Sequence, residues 1–253
     1  DRRQRQMCIR DRIYMFDMDG TLTPARKPME EDFAKCFLPW LQKNKAFIVT
    51  GSDIAKVLEQ LPSDVVNAFS GIYCAMGNDL WRKGDFVYHH DFVPEPELLA
   101  DLENYRLTSA YPYSLFPNYI EKRTGMVNFS ILGRDCPYAE RERYGSWDKT
   151  AGERLRIQKE LSRRYPQYDF VLGGSISIDI TKKGCGKGQV ASHLRGEYPE
   201  EEITFFGDKT LPGGNDYELA AALSLLPATK VVQVNSPDDV LTYLELHRQQ
   251  QAA

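Results

Sequence analysis

The 253-residue sequence is 42% hydrophobic and 11% aromatic, a composition that supplies a buried core and excludes a disordered chain. Its formal net charge of −4 gives no reason to expect a nucleic-acid partner. No apolar stretch approaches the ~18 residues that a membrane-spanning helix needs, so we expect no membrane partner.

The first residues differ in character from the rest. Residues 1–12 contain five arginines and no apolar periodicity, and they lack the apolar middle section of a secretory signal. We predict that residues 1–12 are a non-native leader, with a disordered basic tail as the alternative.

The first acidic motif follows a short apolar run at residues 13–16, which predicts a buried strand. Asp17 and Asp19 lie two residues apart, and Gly20 lets the backbone turn sharply. Such a pair suits chemistry at phosphorus: one carboxylate attacks, the other carries protons, and a hard cation neutralises the phosphate. A lone Asp-x-Asp can equally be a turn between strand and helix.

Alternating helices and strands come next. Apolar residues at helical spacing predict helices over residues 30–44 and 54–61, with a strand at 46–49 between them. This order implies parallel strands with right-handed crossovers.

The strand at residues 46–49 ends in Thr50, Gly51 and Ser52. Their hydroxyls and main-chain N–H groups suit contact with a phosphate. The Ser-Asp dipeptide at 52–53 can also be read as the N-cap of the following helix.

The pattern changes in the middle of the chain. Residues 81–88 read as a hairpin with a glycine at its turn. Further strands are predicted at residues 119–122, 127–131, 170–172 and 176–180, and helices at residues 95–107 and 139–165, the second broken near Gly145 or Gly152. We predict an α+β cap at residues 81–185, inserted into a core made of residues 13–80 and 186–253.

The alternation returns late in the chain, with helices predicted at residues 187–197 and 215–226, strands at 203–206 and 230–234, and a final helix through Val240 and Leu244. The strand at 203–206 ends in Gly-Asp and a glycine-rich loop. Because ligands of parallel α/β sheets lie beyond the carboxyl ends of the strands, we expect Asp17, Thr50 and Asp208 to converge there.

Two strings carry a family resemblance. Phe16–Thr23 (FDMDGTLT) resembles the motif of the haloacid-dehalogenase superfamily of phosphoryl-transfer enzymes. Phe205–Asp216 (FFGDKTLPGGND) is narrower and resembles the eukaryotic-type phosphomannomutases of that superfamily. The likeness extends from about Ile13 to Val240. It implies an α/β fold with a doubly wound parallel-sheet core, like that of the haloacid dehalogenases, and an inserted α+β cap.

The resemblance also implies catalytic roles. Asp17 would be the nucleophile that forms a phosphoaspartate, and Asp19 the general acid and base. Lys187 would neutralise the nucleophile and the phosphate, although Cys185-Gly186 replaces the usual Trp-Asp before it, so Lys183 remains a competitor. Mg²⁺ would be held by the Asp17 carboxylate, the Asp19 main-chain carbonyl and Asp208.

The cap pattern implies the substrate contacts. Guanidinium groups hold phosphate bidentately, and a mutase must grip a second phosphate at the far end of the sugar. The candidate substrate-binding residues of the cap are Arg123, Met126, Asn128, Arg134, Arg141, Ser177 and Asp179, and the core adds Arg26, in the loop after the first motif, with Thr50, Gly51 and Ser52. A solvated surface position is the alternative for any single arginine.

By resemblance, the function is interconversion of mannose 6-phosphate and mannose 1-phosphate. A hexose 1,6-bisphosphate (mannose or glucose) would prime the enzyme, and a homodimer would form through the cap. The scattered cysteines, without Cys-x-x-Cys spacing, predict a cytoplasmic location. The alternatives are a Mg²⁺-dependent sugar-phosphate phosphatase and a catalytically inactive binding protein.

Overall fold

The computed structural model describes residues 12–252, with side chains up to residue 246. Residues 1–11 of the predicted leader lie outside this range. Arg12, which the sequence analysis assigned to the leader, instead begins the first strand, and its Nε lies 3.0 Å from Glu202 Oε2.

The described residues form strands and helices in alternation. The strands are β1 (Arg12–Phe16), β2 (Lys45–Val49), β3 (Gly71–Cys74), β4 (Asp79–Arg82), β5 (Asp85–His89), β6 (Ile120–Arg123), β7 (Met126–Ser130), β8 (Tyr168–Gly173), β9 (Ser177–Lys182), β10 (Glu202–Gly207) and β11 (Thr229–Gln233). The helices are α1 (Glu31–Leu41), α2 (Ile54–Gln60), α3 (Ser63–Ala68), α4 (Pro96–Leu107), α5 (Tyr138–Ala151), α6 (Glu153–Arg164), α7 (Gln189–Glu197), α8 (Tyr217–Ser224) and α9 (Pro237–Ala252).

The larger sheet has seven strands in the order β11-β10-β1-β2-β3-β4-β5. β1 pairs in parallel with both β10 and β2, so that Phe16 lies beside Phe206 on one side and Ile48 on the other. The segments that follow these three strands therefore leave the sheet at one edge, which brings together the regions of Asp17, Thr50 and Asp208.

Both faces of this sheet are covered. Phe16, Ile48 and Phe206 pack on one face with residues of α1 and α9, and Met15, Phe47 and Phe205 pack on the other with residues of α7 and α8. Strands buried on both faces read as continuous apolar runs, as β1 and β10 do. The predicted doubly wound α/β core is confirmed.

The hairpin of β4 and β5 belongs to this sheet. Its turn is formed by Lys83 and Gly84, both with positive φ, as a type I′ hairpin turn requires. β4 pairs antiparallel with β3, which places Trp81 opposite Ile72. The sequence predicted the hairpin but assigned it to the cap, because a local pattern does not show which sheet a hairpin joins. We therefore place the start of the cap after His89 rather than at residue 81.

The cap contains a four-stranded antiparallel sheet in the order β6-β7-β9-β8. Alternate residues of its strands, such as Phe129 and Ile178, pack with Leu98, Tyr144 and Ile157 from α4, α5 and α6. Since side chains alternate along a strand, Asn128 and Asp179 occupy the opposite face, which borders the cleft beside the core.

The remaining differences from the sequence analysis concern short elements. The six-residue α3 and the four-residue β3 were not predicted, because such short segments carry little periodicity. The long cap helix breaks at Gly152, which has φ +65°, and not at Gly145.

In the part of the chain described here, no helix combines the length and apolar character needed to cross a bilayer.

Candidate active site

The site lies at the carboxyl ends of β1, β2 and β10. The Asp17 N–H donates to the Phe206 carbonyl at 2.9 Å, which continues the ladder between β1 and β10 one residue beyond β1. Directly behind it, the rings of Phe16 and Phe206 stack at 4.9 Å. The Asp17 carboxylate, 2% exposed, is thus fixed by the sheet.

Lys187 lies beside Asp17. Its Nζ is 2.6 Å from Asp17 Oδ1 and 2.7 Å from Asp216 Oδ1, and the side chain is fully buried. The competing Lys183 pairs with Asp169 at 2.7 Å and is 69% exposed. Of the two lysines, Lys187 is therefore the one that contacts the predicted nucleophile.

Asp216 is a site residue that the sequence analysis missed. Carboxylate oxygens of Asp17, Asp208 and Asp216 lie within 4.8 Å of one another. Asp216 also accepts from the main-chain N–H of Lys209 at 3.3 Å, which ties the two ends of the glycine-rich loop together. The sequence analysis treated residue 215 as the start of a helix. The signal that could have identified Asp216 was its position as the last residue of the longer motif string.

The acidic cluster fits a divalent cation. Asp17 Oδ2, Asp208 Oδ1 and Asn215 Oδ1 are buried side-chain oxygens without a hydrogen-bond partner. Burial, together with the neighbouring Asp216, raises the pKa of Asp17 to about 8 despite Lys187. Burial also raises the pKa of Asp208. Unsatisfied, desolvated carboxylates gain most from a bound cation, and hard oxygen donors are the ligands that Mg²⁺ prefers.

Gly20 permits the two acidic loops to approach. Its φ is +88°, and a Cβ at this position would lie 2.6 Å from Asp208 Oδ2. A larger residue would therefore push the Asp208 loop away from Asp17.

Asp19 borders the cleft and is held by two donors. Its Oδ1 accepts from the main-chain N–H of Arg26 at 2.6 Å and from Gln60 Nε2 at 3.1 Å. Gln60 is buried and also donates to the Lys27 carbonyl at 3.0 Å. Gln60 was missed because nothing in its local sequence shows that α2 would bring it to Asp19. The carbonyl of Asp19 as a metal ligand stays a prediction.

The Thr50–Ser52 segment forms a compact loop at the end of β2. Thr50 Oγ1 accepts from the Ser52 N–H at 3.1 Å. The side-chain cap of α2 is Asp53, which accepts from the Lys56 N–H at 2.9 Å. The N-cap predicted from the Ser-Asp dipeptide is thus supplied by Asp53, while Ser52 lines the cleft.

Arginines gather on the other side of the cleft. Arg123 donates to both oxygens of Glu121, at 3.1 and 2.9 Å, and its Nη1 reaches across to the Gly51 carbonyl at 2.7 Å. Arg134 Nε lies 2.9 Å from the same Glu121 carboxylate. Glu121 was not predicted; it holds two arginines in place.

The arginine group is short of negative charge. Burial, reinforced by neighbouring arginines, lowers the pKa of Arg26, Arg134 and Arg141. Arg141 Nη2 donates to the Arg134 carbonyl at 2.7 Å, but its buried Nη1 has no partner. An anion such as phosphate would satisfy this donor and relieve the repulsion.

Polar residues of the cap sheet complete the cleft. Asn128 Nδ2 donates to Asp179 Oδ1 at 2.5 Å, and its Oδ1 accepts from Arg134 Nη1 at 2.8 Å. Ser177 Oγ donates to the Gly173 carbonyl at 2.8 Å. Met126, predicted to contact the substrate, does not line the cleft, because its side chain is buried against Ala75 and Met76.

These groups share one cleft of about 1140 Å³ between core and cap. The predicted residues that line it are Asp17, Asp19, Arg26, Thr50, Gly51, Ser52, Arg123, Asn128, Arg134, Arg141, Ser177 and Asp179. Lys187 contacts Asp17, and Asp208 lies in the acidic cluster with Asp17. The arrangement combines an acidic centre suited to phosphoryl transfer with a separate cationic wall.

The fold places the protein among the haloacid-dehalogenase-like structures. A haloacid dehalogenase-like hydrolase from Bacteroides thetaiotaomicron matches with a TM-score of 0.60, over 93% of this chain and 99% of that chain. The sequence identity is 13%, so the likeness is one of fold.

The amino-acid sequence identifies a narrower family within this structural class. The eukaryotic phosphomannomutase family model matches residues 34–248. A phosphomannomutase of Dendrobium officinale is 32% identical over 243 residues, with 93% of each chain covered. A phosphomannomutase of Arabidopsis thaliana is 34% identical over 245 residues, covering 90% of this chain and 93% of the relative. The chain belongs to the eukaryotic phosphomannomutase family.

Proposed function

We propose that this protein interconverts mannose 6-phosphate and mannose 1-phosphate through a phosphoaspartate on Asp17. One observation carries the proposal: the acidic centre around Asp17 and the arginine wall line the same cleft. A phosphatase needs one phosphate site, whereas a mutase must hold the phosphate at each end of a hexose bisphosphate. The cap arginines supply the second site.

The first half of the reaction transfers phosphate to the protein. An Asp17 carboxylate oxygen forms a bond to phosphorus while the bond between phosphorus and the oxygen of the donor sugar breaks. Asp19 donates a proton to that departing oxygen. Lys187 balances the charge of Asp17, and Mg²⁺, held by Asp17 and Asp208 with the Asp19 carbonyl, would stabilise the charge on the phosphoryl oxygens.

The second half reverses these roles at the free hydroxyl of a mannose monophosphate. Asp19 takes the proton of the incoming hydroxyl, whose oxygen bonds to phosphorus as the bond to Asp17 breaks. The resulting bisphosphate must turn around in the cleft before it returns a phosphate to Asp17. Because a phosphoaspartate also hydrolyses, a hexose 1,6-bisphosphate is needed to prime the enzyme.

Two further properties belong to this proposal. The cysteines of the described residues (36, 74, 136 and 185) are all free, which supports a cytoplasmic location. A homodimer through the cap rests on the family resemblance.

The deciding assay supplies mannose 1-phosphate with and without mannose 1,6-bisphosphate, and measures mannose 6-phosphate and free phosphate together. A mutase requires the bisphosphate and forms mannose 6-phosphate as the main product. Steady release of free phosphate without any bisphosphate requirement would instead establish the phosphatase alternative.

A further inference from the structure

Arg154 is a buried cation that the mechanism above does not use. Its side chain is 10% exposed and its Nε lies 2.8 Å from Asp148 Oδ2, which is also buried. It stands in the first turn of α6, where the helix dipole disfavours a positive charge. A desolvated charge in such a place is costly unless its other donors find partners.

Those partners lie in one turn of the cap. Arg154 Nη1 is 3.4 Å from the Gly173 carbonyl, 3.2 Å from that of Gly174 and 3.1 Å from that of Ser177. All three belong to the 173–177 turn, which joins β8 to β9. One guanidinium thus fixes both ends of this turn.

The 173–177 turn carries the predicted sugar contacts. The Gly173 carbonyl that faces Arg154 also accepts from the Ser177 hydroxyl at 2.8 Å. Gly173 leaves room for Asp179, since a Cβ there would lie 2.5 Å from Asp179 Oδ2. A Cβ on Gly174 would lie 3.6 Å from Arg26 Nη2, so the tip of the turn lies beside the core's own arginine.

The break between helices α5 and α6 at Gly152 positions Arg154. Gly152 takes a left-handed conformation with φ +65° that ends α5, and Asp148 then accepts from the Arg154 N–H at 2.9 Å. Asp148 therefore holds Arg154 at its main chain and at its guanidinium.

We propose that Arg154 is a positioning residue for the sugar: through the 173–177 turn it sets Ser177 and Asp179 against the hexose hydroxyls. This inference rests on the proposed function. Arg154 acts on binding of the sugar and leaves phosphoryl transfer at Asp17 unaltered.

The test compares Arg154→Lys with Arg156→Lys as a matched control. Lysine keeps the charge beside Asp148 but cannot contact the three carbonyls as well. Arg156 lies two residues along the same helix, is 54% exposed and pairs only with Glu160 among the described ion pairs. We expect Arg154→Lys to raise the KM for mannose 1-phosphate and its Kd by calorimetry roughly tenfold, as loss of a charge-assisted hydrogen bond does.

Three readouts separate positioning from a loss of folded protein. In Arg154→Lys, kcat and the rate of acetyl phosphate hydrolysis, both expressed per mole of total protein, should stay near wild type, whereas misfolding would lower both at unchanged KM. Asp148→Asn, which can still accept from the Arg154 N–H, should raise KM in the same way and carries the test if Arg154→Lys does not fold. Wild-type KM and Kd in a folded variant would overturn the inference.

Failure of the proposed function has a different signature. A wild-type protein that binds mannose 1-phosphate without converting it would contradict the mutase, while the Kd of the variants would still decide the role of Arg154.

Discussion

The two walls of the cleft are built differently. On the core side, the buried Lys187 pairs with the buried Asp17 and Asp216 at 2.6 and 2.7 Å, and Asp17 directly follows β1 of the central sheet. On the cap side, Arg123 and Arg134 are half-buried and share the single carboxylate of Glu121. The comparison shows a fully buried, paired centre, where we propose the chemistry, facing less buried arginines, where we propose that a bisphosphate is held in two orientations.

The largest effect is expected on the core side, from Lys187→Met. This change leaves Asp17 and Asp216 buried without their cation, which costs about 3–5 kcal/mol for a broken buried pair. Turnover should fall by orders of magnitude. Urea unfolding measures the first effect and the mutase assay the second.

Lys183→Met provides the matched control. This lysine is exposed, and its pair with Asp169 should contribute within ~0.5 kcal/mol. Equal losses of stability and of turnover in the two variants would show that the burial of Lys187 has no special role. That result would contradict the account of the core wall.

A smaller and more selective effect is expected on the cap side, from Arg134→Ala. It removes the proposed charge-assisted contact to the distal phosphate, which would be worth ~1.5–3 kcal/mol, or roughly a ten- to hundredfold loss of mutase kcat/KM. Hydrolysis of acetyl phosphate should change far less, because it uses the acidic centre alone.

Arg143→Ala is the control, since Arg143 is exposed and pairs with Glu140 on the same helix. If Arg134→Ala lowered acetyl phosphate hydrolysis as much as mutase activity, the two walls would not act separately.

The smallest effect concerns Glu121→Gln. Glu121 neutralises Arg123 and Arg134, so its loss should strengthen binding of inorganic phosphate by up to about fivefold, the scale of a partly exposed ion pair. Calorimetric titration with phosphate gives the affinity directly. Weaker binding would mean that Glu121 matters for the geometry of the arginines more than for their charge.

The sequence predicted best what local pattern determines. Asp17, Thr50 and Asp208 each follow an apolar strand, and the geometry of parallel sheets brings such positions together. The position of Lys187 beside Asp17 agrees with the prediction drawn from the resemblance. Arg123, Arg134 and Arg141 share the cleft that the resemblance of the cap implied, and Arg26, from the loop after the first motif, lines the same cleft.

What the sequence did not predict depends on contacts between distant segments. Gln60 belongs to no pattern and reaches Asp19 across 41 positions, and Asp216, the last residue of the longer motif string, reaches Lys187 across 29. Met126 lies on the same face of β7 as Asn128, yet it packs against Ala75 and Met76 of the core and does not line the cleft. The hairpin of β4 and β5 was recognised locally, but its pairing with β3 was not.

The fate of the phosphate on Asp17 tests the central claim most directly. The protein would be loaded with isotopically labelled mannose 1,6-bisphosphate, the label located by mass spectrometry, and its discharge followed with and without mannose 1-phosphate; Asp17→Asn is the blank. The account predicts label on Asp17 that moves to the sugar much faster than to water. Label that leaves as free phosphate at one rate, whether or not the sugar is present, would contradict it.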